Sequence, residues 1–270
     1  MTAVTVPAPA RPGARTWPVV KAITVRSLVR VRRMPSAFVP SIAMPVFQVI
    51  AFSGAFGAAV VLAFEAAGRE IDALDWYVPL AALQGAAFGA IGVAFGTVRD
   101  LEDGFFDRFL MAPTSRWAFV AGPMFASLVR ATVPVALVVV VGLFGGMNTP
   151  GGLLGIAMLA LAALGIGVAA AGLSLGLTYR LRSMAAATLT QFLIFFTIFL
   201  STSQVPLAFM EGWLHEVARI NPMTNVLRLA RQGLLGEVTW DQTWPGLVAL
   251  TVMIGLATWY ARSGLRTFER

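Results

Sequence analysis

Hydrophobic positions along this chain fall into six long runs, and polar positions are gathered into the connectors between them. The runs cover about residues 37–62, 76–98, 117–146, 153–178, 184–206 and 244–262. Each, coiled as a helix, is long enough to cross about 30 Å of hydrocarbon, which takes roughly 20 residues. In lipid the backbone must satisfy its own polar groups, which a helix does within one segment. The pattern therefore predicts an all-α, polytopic membrane protein with six transmembrane helices. Arg130 and Pro134 interrupt the third run, so its first part, 116–130, has the alternative of lying along the interface with Arg130 snorkelling to water.

Three shorter segments have their own pattern. In residues 17–33, Arg26, Arg30 and Arg33 recur at helical spacing opposite Val20, Leu28 and Val31. This predicts an N-terminal interfacial helix with its arginines toward lipid phosphates. Lys21 and Arg32 spoil the wheel, and an ordinary basic flank is the alternative. Residues 100–110 place Leu101, Phe105, Phe106, Phe109 and Leu110 on one half of a helix and Asp100, Asp103 and Asp107 on the other. Like charges at that spacing repel, and Gly104 costs about 1 kcal/mol relative to Ala. A helix with those penalties is better explained by contact with a partner than by its own stability. Glu102 falls on the apolar half, where it needs Arg99 or a neighbouring arginine. In the third segment Asn221 can cap a helix opening at Pro222, and Gly236 can close it. That helix is about 13 residues or ~20 Å, too short to span, and Arg228 and Arg231 suit it to the outer interface.

Composition supports the membrane reading: 58% of residues are hydrophobic and 12% charged, with a mean hydropathy of +0.79, against about 25% charged in a typical soluble domain. The net charge of +7 comes from arginines spread among apolar spans without a continuous patch, which argues against nucleic acid. Sixteen of the twenty basic residues fall on one side of the six-span topology, and the positive-inside rule makes that side, with both termini, cytoplasmic. Glu65, Glu70, Asp72 and Asp75 then lie in the first external loop, and 148–150 in the second. Residues 1–16, rich in Pro and Ala without an apolar core, read as a disordered cytoplasmic tail and not a signal peptide. Residues 17–36 form the interfacial helix and 37–270 the six-span domain.

Several chemistries find no support. The chain has no cysteine, hence no disulfide or thiolate metal site. Apart from Arg130, and Arg262 at the very end of the last run, the spans carry no charged group, unlike ion-coupled transporters; their other polar residues are neutral, among them Gln48, Gln84, Gln191 and the run from Ser201 through Ser203 to Gln204. The single histidine, His215, has Glu216 beside it and no evident third member of a triad. No segment gathers enough His or carboxylates for a metal, and no GxxxxGK[ST] loop offers to bind ATP. Small residues recur at Gly85, Gly89, Gly92 and Gly96, and again at Gly165, Ala169, Gly172 and Gly176. Such stripes let helices approach closely, within the bundle or between copies.

The run LEDGFFDRFLMAPTSRWAFVAG, with an Arg following it, resembles the cytoplasmic loop of ABC-2 type permeases, the membrane subunits of a class of ABC transporters that includes daunorubicin-resistance exporters. RVRRMP leading into MPVFQVIAFSGAFG is similar to that family's entry into its first span, and INPMTNVLRLARQGLLG to its motif before the last. The resemblance covers nearly the whole chain. It implies that Asp100, Leu101, Glu102, Asp103, Gly104, Phe105, Asp107, Arg108, Phe109 and Leu110 belong to a coupling helix seated in a groove of a separate cytosolic ATPase subunit, which would hold the ATP and Mg. It also implies a second permease chain, identical or related, and residence in a bacterial inner membrane. External helices would dip into the outer leaflet, so that Ser201, Ser203, Gln204 and the helix from Asn221 shape an exit for cargo. An amphipathic, drug-like or lipid-like cargo suits a path with neutral hydrogen-bonders and no fixed charge. Phe192, Phe195, Phe196 and Phe199 face either that cargo or lipid. An acyltransferase-like membrane enzyme using His215 or Glu216, and a scaffold that recruits a cytosolic protein, are the rival readings.

Overall fold

The computed structural model describes residues 16–33, 39–66, 68, 70–104, 106, 115–236 and 238–267. Its regular elements there are helical: α1 (Thr16–Arg33), α2 (Val39–Ala66), α3 (Ala73–Glu102), α4 (Ala118–Phe144), α5 (Gly152–Leu181), α6 (Ala185–Phe199), a 3-10 turn (Leu207–Phe209), α7 (Gly212–Ile220), α8 (Pro222–Leu235) and α9 (Trp240–Arg266). Five of them, α2, α3, α4, α5 and α9, are long and apolar enough to cross a membrane. The protein is thus an all-α polytopic membrane protein, as its hydrophobic pattern predicts.

The fifth predicted run departs from that expectation. Its helix, α6, has 15 residues, or about 22 Å at the usual rise, and ends at Phe199 instead of running on to 206. Apolar residues continue past that point, but the backbone turns through 200–205. Irregular backbone at membrane depth survives only where protein supplies its hydrogen bonds. An arginine from α8 does so here, as described below.

Helix α3 lies at the centre and packs on α2, α4, α5, α6 and α8. Its most apolar stretch is 83% buried, against 22% for α2 and for α9, which leaves those two largely facing the surroundings. Most positions of the small-residue stripes serve packing within the bundle. Gly85 makes room for Pro45 of α2 and Pro134 of α4, while Gly165, Gly172 and Gly176 admit Leu250, Ala257 and Tyr260 of α9. Helix α4 is continuous through Pro123 and Pro134. Arg130 is buried at 6% exposure and donates from Nη2 to the Ser27 carbonyl of α1 at 2.9 Å, so it does not snorkel to water along a surface segment. The proximal end of the bundle carries α1, the start of α4 and the last turns of α3, α5 and α9. The distal end carries the start of α3, the α4–α5 turn and α8.

Candidate functional site

At the proximal end, two arginines converge on one carboxylate. Arg26 and Arg30, one turn apart on α1, reach Asp100 Oδ1 from their Nη2 atoms at 2.7 and 2.6 Å. Arg30 also donates from Nη1 to the Gly96 carbonyl at 2.6 Å, and Arg130 stands close by. Gly92 and Gly96 make this possible, because a β-carbon at either would lie about 3 Å from the Arg130 or Arg30 guanidinium. Thr24 of α1 donates to the Gly122 carbonyl at 3.0 Å, and Trp17 meets Phe125 edge-on at 6.0 Å. Helix α1 is therefore docked on α3 and α4. Its Arg26 and Arg30 turn inward, correcting the expectation that they face lipid phosphates; Arg33 ends α1, and its side chain lies outside the described residues.

Asp100 likewise leaves the outward acidic stripe on which the sequence places it, and Leu101 and Glu102 are the last residues of α3. Asp103 caps that helix and Gly104 turns away from it at φ +64°, a conformation a side chain would strain. Glu102 and Asp103 are exposed. Phe106 packs into the bundle against Phe119 and Tyr179, with ring centroids 5.0 and 5.8 Å away. Phe105, Asp107, Arg108, Phe109 and Leu110, the rest of the expected coupling helix, lie outside the described residues.

The distal end is organised around another arginine. Arg231, expected at the outer interface, is 3% exposed and sits in the middle of α8. Its Nη1 and Nη2 donate to the Thr202 and Ser203 carbonyls at 2.6 and 2.9 Å, and its Nε to the Trp76 carbonyl at 3.1 Å. The guanidinium also lies 3.6 Å above the Trp76 ring. Burial pulls its pKa down to about 9, which leaves it charged at neutral pH. The turn after α6 thus has its carbonyls met by this arginine. Trp76 Nε1 and Tyr77 Oη donate to the Gln204 carbonyl of the same turn, at 3.2 and 3.4 Å. Arg228, one turn away, is exposed.

Two further devices fix this end. Asp75, expected in an external loop, belongs to the first turn of α3. It accepts from the Asn148 backbone at 2.7 Å and the Asn148 side chain at 3.2 Å, and so ties the α4–α5 turn to α3. Asn221 caps α8, accepting from Met223 N at 2.9 Å, while its amide donates to the Thr197 and Leu200 carbonyls at 2.8 and 2.9 Å. Pro222 opens α8 as expected for that position.

In the proximal half of the bundle lies a groove of about 450 Å³ walled by α2, α3 and α6, with Ser41, Arg99, Thr188 and Gln191 among its lining residues. Of the other residues assigned to a path, Gln84 is 1% exposed and Gln48 7%. Neither Oε1 nor Nε2 of Gln84, nor Nε2 of Gln48, has a hydrogen-bond partner among the described residues, and the same holds for Ser203 Oγ and Gln204 Nε2. Ser201 is buried in the turn after α6. Phe195 and Phe199 stack at 4.3 Å between centroids and are half-buried, whereas Phe192 and Phe196 are exposed. His215 meets Glu216 at 3.3 Å on the surface of α7, and no cluster of metal-ligating residues occurs among the described residues.

The sequence model of the ABC-2 type transporter family matches residues 18–235. The daunorubicin resistance ABC transporter permease protein DrrB1 of Streptomyces coeruleorubidus is 26% identical over 90% of this chain and 83% of its own length. The putative transport permease ycf38 of Cyanophora paradoxa is 25% identical over 76% of this chain and 70% of its own. A probable multidrug ABC transporter permease, YbhR of Escherichia coli K12, is 24% identical over 63% and 46% of the respective chains.

Proposed function

From the premise that the chain belongs to the ABC-2 type transporter family, we propose that it is the membrane permease of an exporter whose ATP is hydrolysed by a separate cytosolic subunit. Its relatives are named as permeases for daunorubicin resistance and multidrug transport, and an amphipathic, drug-like or lipid-like cargo is the class this chain would carry. The observation that carries the reading is the Asp100 knot. The helix with the deepest packing in the bundle carries in its last turn a carboxylate held by α1, just before the charged loop.

A partner pressing on residues 101–110 would push on α3 and α1 together. Asp100 acts as the anchor of that lever, and the exposed Glu102 and Asp103 belong to the surface offered to the ATPase. Gln191, which lines the groove, and the buried Gln48 and Gln84 form the path. Unpartnered buried amides destabilise a bundle by about 1–3 kcal/mol each, so a cargo that engages them recovers energy on binding. Ser201, Ser203 and Gln204 then lie at the exit, and Phe195 and Phe199 flank it. A second permease chain completes the path by covering the exposed face of α2 and the side of α6 that carries Thr188 and Gln191. Both termini are cytoplasmic, in a bacterial inner membrane, and the chain itself binds no nucleotide.

Co-purification with the co-expressed ATPase tests this. Wild type is expected to hold the subunit, and Glu102→Arg combined with Phe105→Asp is expected to release it while the permease still elutes as a single species. Equal retention by both would remove the docking role from this loop and return the scaffold and enzyme readings.

A further inference from the structure

A second groove, of about 360 Å³, opens between α5, α6 and α9, away from the α2–α3–α6 groove of the proposed path. Its walls include Ala169 and Leu173 of α5, Leu193 and Ile194 of α6, and Leu256 and Trp259 of α9. The hydroxyl of Thr197, which also lines it, is spent on the Leu193 carbonyl at 2.8 Å. A cavity so lined does not hold water. Leu256 and Trp259 are 62% and 66% exposed, so the groove opens sideways, toward whatever surrounds the bundle.

Its proximal rim is basic. Arg180 reaches from α5 across to α9, donating to the Tyr260 carbonyl at 3.0 Å and to Ser263 Oγ at 2.6 Å, with its guanidinium 3.9 Å from the Tyr260 ring centre. Arg262 and Arg266 project one turn apart from the exposed end of α9. The described parts of this rim, 176–190 and 243–267, contain no Asp or Glu. Along α5, Arg180 lies about 10 Å beyond Leu173 at the helical rise. An apolar slot with a cationic cluster that far from its lower wall matches the build of a phospholipid, whose acyl chain and phosphate are similarly separated.

We propose that this groove holds an acyl chain of a resident anionic phospholipid, with its phosphate on Arg180, Arg262 and Arg266. Cationic side chains at a membrane surface attract acidic lipids, and an aromatic pair at the rim suits the headgroup level. The chain fills the space between α6 and α9, and so backs the short helix whose end the Arg231 clamp fixes. The occupant is a lipid of whichever leaflet adjoins the α5–α6 turn. It binds without nucleotide or ATPase, so the proposal stands or falls apart from the transport reading.

The protein is reconstituted into vesicles of equimolar dioleoyl phosphatidylglycerol and dioleoyl phosphatidylcholine, then extracted in mild detergent, and retained lipid is counted by native mass spectrometry. Wild type is expected to retain about one phosphatidylglycerol per chain, enriched several-fold over phosphatidylcholine. Arg262→Gln with Arg266→Gln, both at exposed positions, is expected to cut that enrichment by about fivefold per arginine. Ala169→Phe, which fills the slot, is expected to lose both lipids. Should Ala169→Phe not fold, phosphatidylglycerol with brominated chains gives the same answer, quenching tryptophan more than brominated phosphatidylcholine does, with the excess gone in Trp259→Phe. Equal retention of the two lipids by wild type, unchanged enrichment in the rim variant, or no Trp259-dependent quenching would overturn the proposal. So would disulfide formation between copies bearing Leu193→Cys and Leu256→Cys, which would put a second chain in the groove.

Discussion

Arg30 and Arg231 are both arginines committed to holding helices together, yet the two ends of the bundle use them in opposite ways. At the proximal end Arg30 holds one carbonyl, that of Gly96, but its charged partner is a carboxylate, Asp100, shared with Arg26 and still about one quarter exposed. At the distal end the partners of Arg231 are main-chain carbonyls and a ring, all buried. A charge pair weakens slowly with distance, while hydrogen bonds to fixed carbonyls weaken steeply with angle. The first suits a joint that shifts under load, the second a joint that keeps one geometry. Identical side chains thus give a compliant end and a fixed end.

The sharpest way to break this comparison is Arg231→Met. It strips donors from the Thr202, Ser203 and Trp76 carbonyls, and about 3–5 kcal/mol of stability is expected to go with it. The measurement is thermal melting in detergent; a melting point at the wild-type value would show that the clamp holds nothing. Arg231→Lys is expected to restore less than half, since an ammonium is a point donor without the guanidinium fork.

Asp100→Asn should cost less, about 1–2 kcal/mol, because the pair is partly solvated. Its signature is salt: the gap from wild type narrows at high ionic strength, whereas the Arg231→Met gap stays. A smaller effect, roughly 1 kcal/mol, is expected for Asp75→Asn, which keeps one acceptor for the Asn148 backbone. Faster amide exchange confined to residues 147–150 would report it. Arg228→Ala, on the exposed side of the same helix as Arg231, is expected to stay within about 0.5 kcal/mol of wild type. A larger loss there would mean that position on α8, and not burial, sets the value of these arginines.

The long helices were legible because the length of an apolar run is itself the constraint that lipid imposes. Predicted runs 117–146 and 153–178 differ from α4 and α5 by no more than three residues at either end. The cap at Asn221 with Pro222 was legible too, being local chemistry. The end of α6 was not, because its turn is made tolerable by Arg231, which lies 28 residues further along the chain. Hydropathy sees Leu200 and Val205 as it would see helix. The Asp100 knot escaped for a related reason: a wheel drawn for 100–110 in isolation places Asp100 facing outward, but α3 continues through it and sets its direction from the turn before. Gly92 and Gly96 fall at helix-packing spacing, and spacing alone does not tell that the groups they admit are guanidiniums.

Asn221 joins the end of one helix to the beginning of another. Its carboxamide oxygen serves α8 and its nitrogen serves the last carbonyls of α6, so one planar group belongs to two helix termini at once. Fraying of either end would have to break the bonds of the other. The final turn of α6 and the first turn of α8 therefore open as one cooperative unit, and their amides should exchange with solvent deuterium at matching rates, although a loop and a whole further helix separate them along the chain.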